Sequence, residues 1–157
     1  MPKPTLQAMV LADQVYRDAT TGKFIIAGTF SALCQGQQKP LPQDPARTSE
    51  VTGPRQTFAN PVGKAGSPYL YLALTEVHGR VSLGLRYINL ADSTVLMDGQ
   101  IDVSSADPVA MVEYSFPLPM LPLSLGQFSL DLLYEGEILG SWRVTVKQQP
   151  AQGDTPR

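Results

Sequence analysis

The side chains able to do chemistry are few in this sequence. His78 is the one histidine and Cys34 the one cysteine. A Ser-His-Asp or Cys-His arrangement would have to use His78 as its base. His78 sits beside Gly79 between two apolar runs, where a solvated turn residue is the simpler reading. Cys34 is the only thiol for such a pair, yet it stands next to a Gln- and Gly-rich segment and carries no local nucleophile signature. A structural zinc needs four Cys, His or carboxylate ligands, and a catalytic one needs three plus water. One Cys and one His argue against either.

The acidic residues Asp13, Asp18, Asp92, Asp98, Asp102 and Asp107 are scattered. None forms the closely spaced carboxylate loop that calcium requires. Glu135 and Glu137 flank Gly136 in what reads as a tight turn, so they point to water and not across a cleft as a glycosidase pair would. Gly22-Lys23 lacks the glycine-rich run of a phosphate-binding loop. The expectation is therefore a protein that is not an enzyme and holds no cofactor or metal.

Composition narrows the partners. The 157 residues carry a net charge of −2, with 17% charged residues, 14 prolines and 13 glycines. No stripe of Lys or Arg is present to neutralise phosphates, so nucleic-acid binding is not expected. No stretch approaches the ~20 apolar residues that cross a bilayer, and the first residues, MPKPTLQAMVLADQ, are too short and polar in their apolar part for a signal peptide. A single cysteine fits a reducing compartment. The expected location is the cytoplasm.

The elements that would position any site read as strands. Residues 5–12 (TLQAMVLA) and 24–30 (FIIAGTF) are short apolar runs joined by a polar connection over 13–23, a hairpin pattern. Residues 34–68 are rich in proline and glycine and lack periodicity, so they read as one long excursion with a candidate short strand over 55–58. Residues 69–75 alternate, with Leu70, Leu72 and Leu74 on one face. Residues 80–90 place Val81, Leu83, Leu85 and Tyr87 on one face and Arg80, Ser82, Gly84 and Arg86 on the other, the period of a half-buried strand.

Residues 95–103 read as a weaker strand with a candidate bulge at Asp98-Gly99. Residues 109–118 align Val112, Tyr114, Phe116 and Leu118 before a run of prolines suited to an edge. Residues 126–134 and 138–146 form the clearest hairpin, with Phe128, Leu130 and Leu132 facing Trp142, Val144 and Val146. Residues 147–157 read as a disordered tail.

About eight strands at roughly 10-residue spacing, without an amphipathic helix, predict an all-β fold. The expected architecture is an antiparallel immunoglobulin-like or C2-like β-sandwich over 1–146. Within it Tyr69 and Tyr71 share the face opposite Leu70, Leu72 and Leu74, so the alternation sends them outward. Exposed tyrosines on a sheet suit a protein partner, a further copy of the chain, or a ring-shaped ligand such as a sugar. Asn60 and Gln56 are the loop polar groups for that last alternative. The leading expectation is a non-catalytic interaction module, with a small-ligand or carbohydrate-binding domain as the alternative.

The segment Leu11-Ala12-Asp13-Gln14-Val15, followed by Thr21-Gly22-Lys23-Phe24-Ile25-Ile26-Ala27-Gly28-Thr29-Phe30, resembles the opening of a family of uncharacterised bacterial proteins. Gly126-Gln127-Phe128-Ser129-Leu130-Asp131, then Gly136 and Leu139-Gly140, is similar to that family's last hairpin. The resemblance spans the domain apart from 34–68. It implies a bacterial β-sandwich of unknown function and supplies no catalytic residues.

Overall fold

The computed structural model describes residues 2–35 and 68–148. Those residues form nine strands and no helix: β1 (Thr5–Arg17), β2 (Phe24–Thr29), β3 (Ala32–Gln35), β4 (Tyr69–Thr75), β5 (Gly79–Asn89), β6 (Val95–Ser105), β7 (Val112–Pro117), β8 (Gly126–Tyr134) and β9 (Glu137–Gln148). The fold is all-β, as expected. A first sheet has the order β2-β1-β4-β7 and a second the order β3-β9-β8-β5-β6. All pairs are antiparallel except β3 with β9. The second sheet curls into a half-barrel.

One face of each sheet supplies the main core. Leu11, Leu70, Leu72 and Leu74 from the first sheet meet Leu83, Leu85, Tyr87, Phe128, Leu130, Leu132, Val144 and Val146 from the second. These are the positions that the alternation assigns to one face. Each buried Leu, Val or Phe side chain contributes about 1.5–3 kcal/mol over its exposed state. Tyr87 and Phe128 stack with ring centroids 5.3 Å apart. Among the described residues the hydroxyl of Tyr87, buried there, has no hydrogen-bond partner.

Two seams join the sheets. The chain crosses from the first sheet to the second at Phe30 and Ser31. The Phe30 amide donates to the Leu11 carbonyl, the Ser31 carbonyl accepts from Thr145, and the Phe30 carbonyl accepts from Trp142 Nε1 at 2.9 Å. At the opposite seam the Tyr114 hydroxyl of β7 donates to the Ser104 carbonyl of β6 and accepts from the Ser104 amide, both at 2.8 Å.

Local chemistry explains the turns. Before β2, the Asp18 carboxylate accepts from the Thr21 amide and hydroxyl, and Gly22 takes φ +69°. The hydrogen bonds from Thr21 hold the Asp18 carboxyl below the usual range. Between β8 and β9, Glu135 and Gly136 both have positive φ, the mirror-image two-residue turn that matches strand twist.

Several expected boundaries change. The polar segment 13–17 continues β1, because β2 supplies it with backbone partners from Gln14↔Ala27 to Arg17↔Phe24. The connection therefore shrinks to 18–23. β6 is continuous through Asp98 and Gly99, where Asp98 stands opposite Arg86, and the register shift falls at Leu96. The strand expected over 109–118 narrows to Val112–Pro117. Cys34 and Gln35, assigned to the excursion, belong to β3, and Lys147 and Gln148, assigned to the tail, belong to β9. The candidate strand over 55–58, with the rest of 36–67 and 149–157, lies outside the described residues.

Two substitutions separate a useful hydrogen bond from a wasted hydroxyl. Trp142→Phe keeps most of the ring but strands the Phe30 carbonyl, and should lower the unfolding free energy by about 1–3 kcal/mol. Tyr87→Phe removes a buried, unpaired hydroxyl, and should leave stability unchanged or raise it by about 1 kcal/mol. Urea titrations of both variants beside the parent chain would show the opposite signs.

Candidate interaction surface

Strand β4 is buried along nearly its whole length. Its even positions enter the main core, so Tyr69, Tyr71 and Ala73 face the other way, as the alternation requires. That outer face is itself apolar. Ala12, Val15, Tyr71 and Ala73 are buried on it, and Ala8, Val10, Phe24, Ile26 and Tyr69 pack around them half-exposed. The residues from β1 step from even to odd numbers between Ala12 and Val15. The step falls where Gly28 adopts φ +71° and lies so close to Asp13 that an added Cβ would sit 2.5 Å from its carboxylate.

The two tyrosines differ. Tyr69 is half-buried, whereas Tyr71 is only 8% exposed, which corrects the expectation that both stand free on the surface. The reason is lateral packing that one strand's sequence does not show. Val10 lies beside Tyr71 on β1, and the Phe24 ring meets it edge-on with centroids 5.7 Å apart. The Tyr71 hydroxyl donates to the Glu113 carboxylate on β7. Burial foremost, and then the hydrogen bond and charge of Glu113, push the Tyr71 phenol up to about 12. The Arg17 guanidinium lies over the Phe24 ring, 4.7 Å from its centroid, and gives this face a cationic rim.

The remaining sequence candidates are not brought together. Cys34 is exposed on β3 opposite Lys147, at the end of the second sheet where Asn89 closes β5. His78 immediately precedes the other end of β5. At about 3.3 Å per residue, the 11 residues of that strand separate the two by roughly 30 Å. His78 Nε2 is buried without a hydrogen bond among the described residues and lies 3.7 Å from the Glu76 carboxylate.

Among the acidic residues, Asp102 binds Arg80 at 2.6 Å and Glu137 binds Lys3 at 2.8 Å, both exposed pairs. Those contacts lower the Asp102 and Glu137 carboxyls. Among the described residues no three His, Cys, Asp or Glu side chains are grouped to hold a metal ion. No helix there is long and apolar enough to cross a membrane. Asn60 and Gln56 lie outside the described residues.

One polar cluster escapes the sequence reading. Asp131 on β8 is 5% exposed, and its Oδ1 accepts from Ser129 Oγ at 2.5 Å and Ser141 Oγ at 2.6 Å. Arg86 stands opposite it on β5. The only signal was that Ser129 and Asp131, two apart in a strand, share a face. Asp131 Oδ1 is satisfied by its own neighbours, as a buried polar atom must be, so the cluster ties β8 to β9. No family model matches the chain, and no curated protein is significantly similar to it.

The phenols provide a pH test. Tyr71 and Tyr87 are both pushed up to about 12 from 10.0, Tyr87 by burial. A raised phenol pKa means that the folded state favours the neutral form. The stability this gives is complete below pH 10 and is lost as pH rises from 10 through 12. Phenolate absorbance should therefore show a late phase near pH 12. Tyr71→Phe and Tyr87→Phe should each remove part of that phase, and an undiminished phase in both variants would contradict the burial described here.

Proposed function

We propose that the chain is a non-catalytic interaction module on an immunoglobulin-like or C2-like β-sandwich, and that it binds another protein or a further copy of itself through the outer side of its first sheet. The observation that carries this reading is the second apolar cluster on that sheet, centred on Tyr71 and rimmed by half-exposed Val10, Phe24, Ile26 and Tyr69. A sheet whose outer face serves only as a solvated surface alternates apolar with polar residues. This one does not. Aromatic side chains with a polar tip, set among aliphatic residues, are the usual anchors of protein interfaces.

In this reading Tyr69 is the contact residue. Tyr71 is its support, held in place by Glu113 and Phe24. A reducing compartment such as the cytoplasm suits the exposed, unpaired Cys34. Membership of the uncharacterised bacterial β-sandwich family that the opening and closing segments resemble belongs to the same proposal.

The test compares Tyr69→Ala with the parent chain as bait in lysate at moderate salt, with mass spectrometry of what co-elutes. The same pair is measured for self-association. Truncating a contact aromatic should weaken association at least about tenfold, with the thermal midpoint nearly unchanged. Association that is unaltered by Tyr69→Ala and by Val10→Ala would remove this face from consideration.

A further inference from the structure

The four sheet edges are not equally protected. Natural edges are blunted by charge, proline, shortness or a covering group. Strand β3 has four residues. Strand β7 carries Glu113 and ends at Pro117. On β6 the Ser104 backbone groups are taken by the Tyr114 hydroxyl. By the alternation of the ladder, Asp98 and Asp102 lie along that same open side.

Strand β2 is blunted only by shortness, since its regular edge runs from Phe24 to Ala27 before Gly28. From Phe24 to Ala27 it reads FIIA, without charge or proline, and among the described residues nothing pairs on its far side. Ile25, 38% exposed, and Tyr16, 50% exposed, are cross-strand neighbours there.

The hydrogen-bond phase of this edge follows from its partner. The Asp18 amide donates to the Lys23 carbonyl. In an antiparallel ladder the bonded pairs alternate, so Ile25 and Ala27 turn their backbone groups to β1. Phe24 and Ile26 therefore present an amide and a carbonyl each to the open side. The arrangement ends at Gly28, where φ becomes positive.

We infer that β2 is a self-pairing edge, joining two copies of this chain as antiparallel strands about a two-fold axis at Ile25. The inference rests on the interaction role proposed above and names the partner as a second copy. This register is the one that satisfies every exposed backbone group of Phe24 and Ile26: Phe24 bonds Ile26 of the second copy and Ile26 bonds its Phe24. It also places Phe24 beside Ile26 twice on the outer face, the aromatic and β-branched pairing that sheets favour. The half-exposed rims of both apolar clusters then meet. On the opposite face Ile25 meets its own counterpart as a non-bonded pair, where side chains approach most closely. Lys23 stands opposite Ala27, so no like charges confront each other.

So short a ladder belongs at the weak end of interfaces, and sedimentation equilibrium from micromolar to near-millimolar chain shows whether it forms. The expected result is a reversible rise from 17.0 kDa to twice that mass. Ile25→Lys opposes two like charges at the axis and should raise the dissociation constant at least about tenfold, with folding unchanged because the site is on the surface. In a Cys34→Ser background, Ile25→Cys should be captured as a covalent dimer on oxidation, since non-bonded pairs bring Cα atoms to about 4.5 Å. Ala27→Cys, offset by four residues from its own copy, should not. A monomer throughout, a dimer indifferent to Ile25→Lys, or cross-linking of Ala27→Cys as efficient as that of Ile25→Cys overturns the inference. A monomer that still captures another protein in a Tyr69-dependent way would leave the wider reading standing.

Discussion

Strand β4 sets the terms for the rest of the structure, because from Tyr69 to Leu74 it is apolar on both faces and it lies between β1 and β7. Its leucines can be buried only if the second sheet closes over one face. Tyr71 and Ala73 then need cover on the other, which β1 and β2 bring sideways in Val10, Ala12, Val15, Phe24 and Ile26. The 13 residues of β1 serve both demands in turn. Their first half pairs with β4 and their second half with β2. The step in its alternation at Asp13, opposite Gly28, keeps the apolar side chains on the outer face while the chain twists away from β4. A side chain at Gly28 would meet both a positive φ and the Asp13 carboxylate, so the glycine is required by geometry.

The two seams solve a second problem in different ways. Where β2 passes into β3, the crossing backbone has no ladder, and its carbonyls would be costly if left unpaired in a partly buried place. Trp142 and the Thr145 amide supply the missing donors. At the other seam a single phenol, Tyr114, both donates and accepts. It closes the gap between β6 and β7 without adding a strand. Each seam thus depends on a side chain that is half apolar body and half polar tip, which lets one residue pack into the core and satisfy backbone at its margin.

Much of this fold was legible in the sequence, and the limits are instructive. The β8–β9 hairpin could be read directly, because Phe128, Leu130, Leu132 and Trp142, Val144, Val146 alternate on either side of a Glu-Gly turn suited to positive φ, although the register shifts at Leu132/Leu133 beside the turn. The inward set of β5 followed from period-2 spacing in the same way. Strand β3 could not be read: four residues held by parallel pairing with β9 show no alternation of their own. The second half of β1 was hidden for the converse reason. Its polar residues are strand because β2 pairs with them, not because they prefer a pleat. The face of Tyr71 was legible and its burial was not, since Phe24 and Glu113 reach it from strands far apart in the chain. The Ser129–Asp131–Ser141 cluster was hidden likewise, as two of its members sit on β8 and the third comes from β9.

These features bear on what such a sheet is for. Burying an apolar outer face stabilises the folded chain only in proportion to the area removed from water, and the residues at its margin remain half-exposed. A domain selected for stability alone would replace Val10, Phe24 and Ile26 with polar residues, as exposed faces of antiparallel sheets usually do, and would charge its edge strand. Here the uncharged edge and the apolar rim occur on the same strand, β2, while the remaining edges are short, acidic, or stopped by proline. Phe24 and Ile26 belong to both features. In the interface proposed above, backbone pairing at that edge would set register and the side chains beside it would supply the apolar contact.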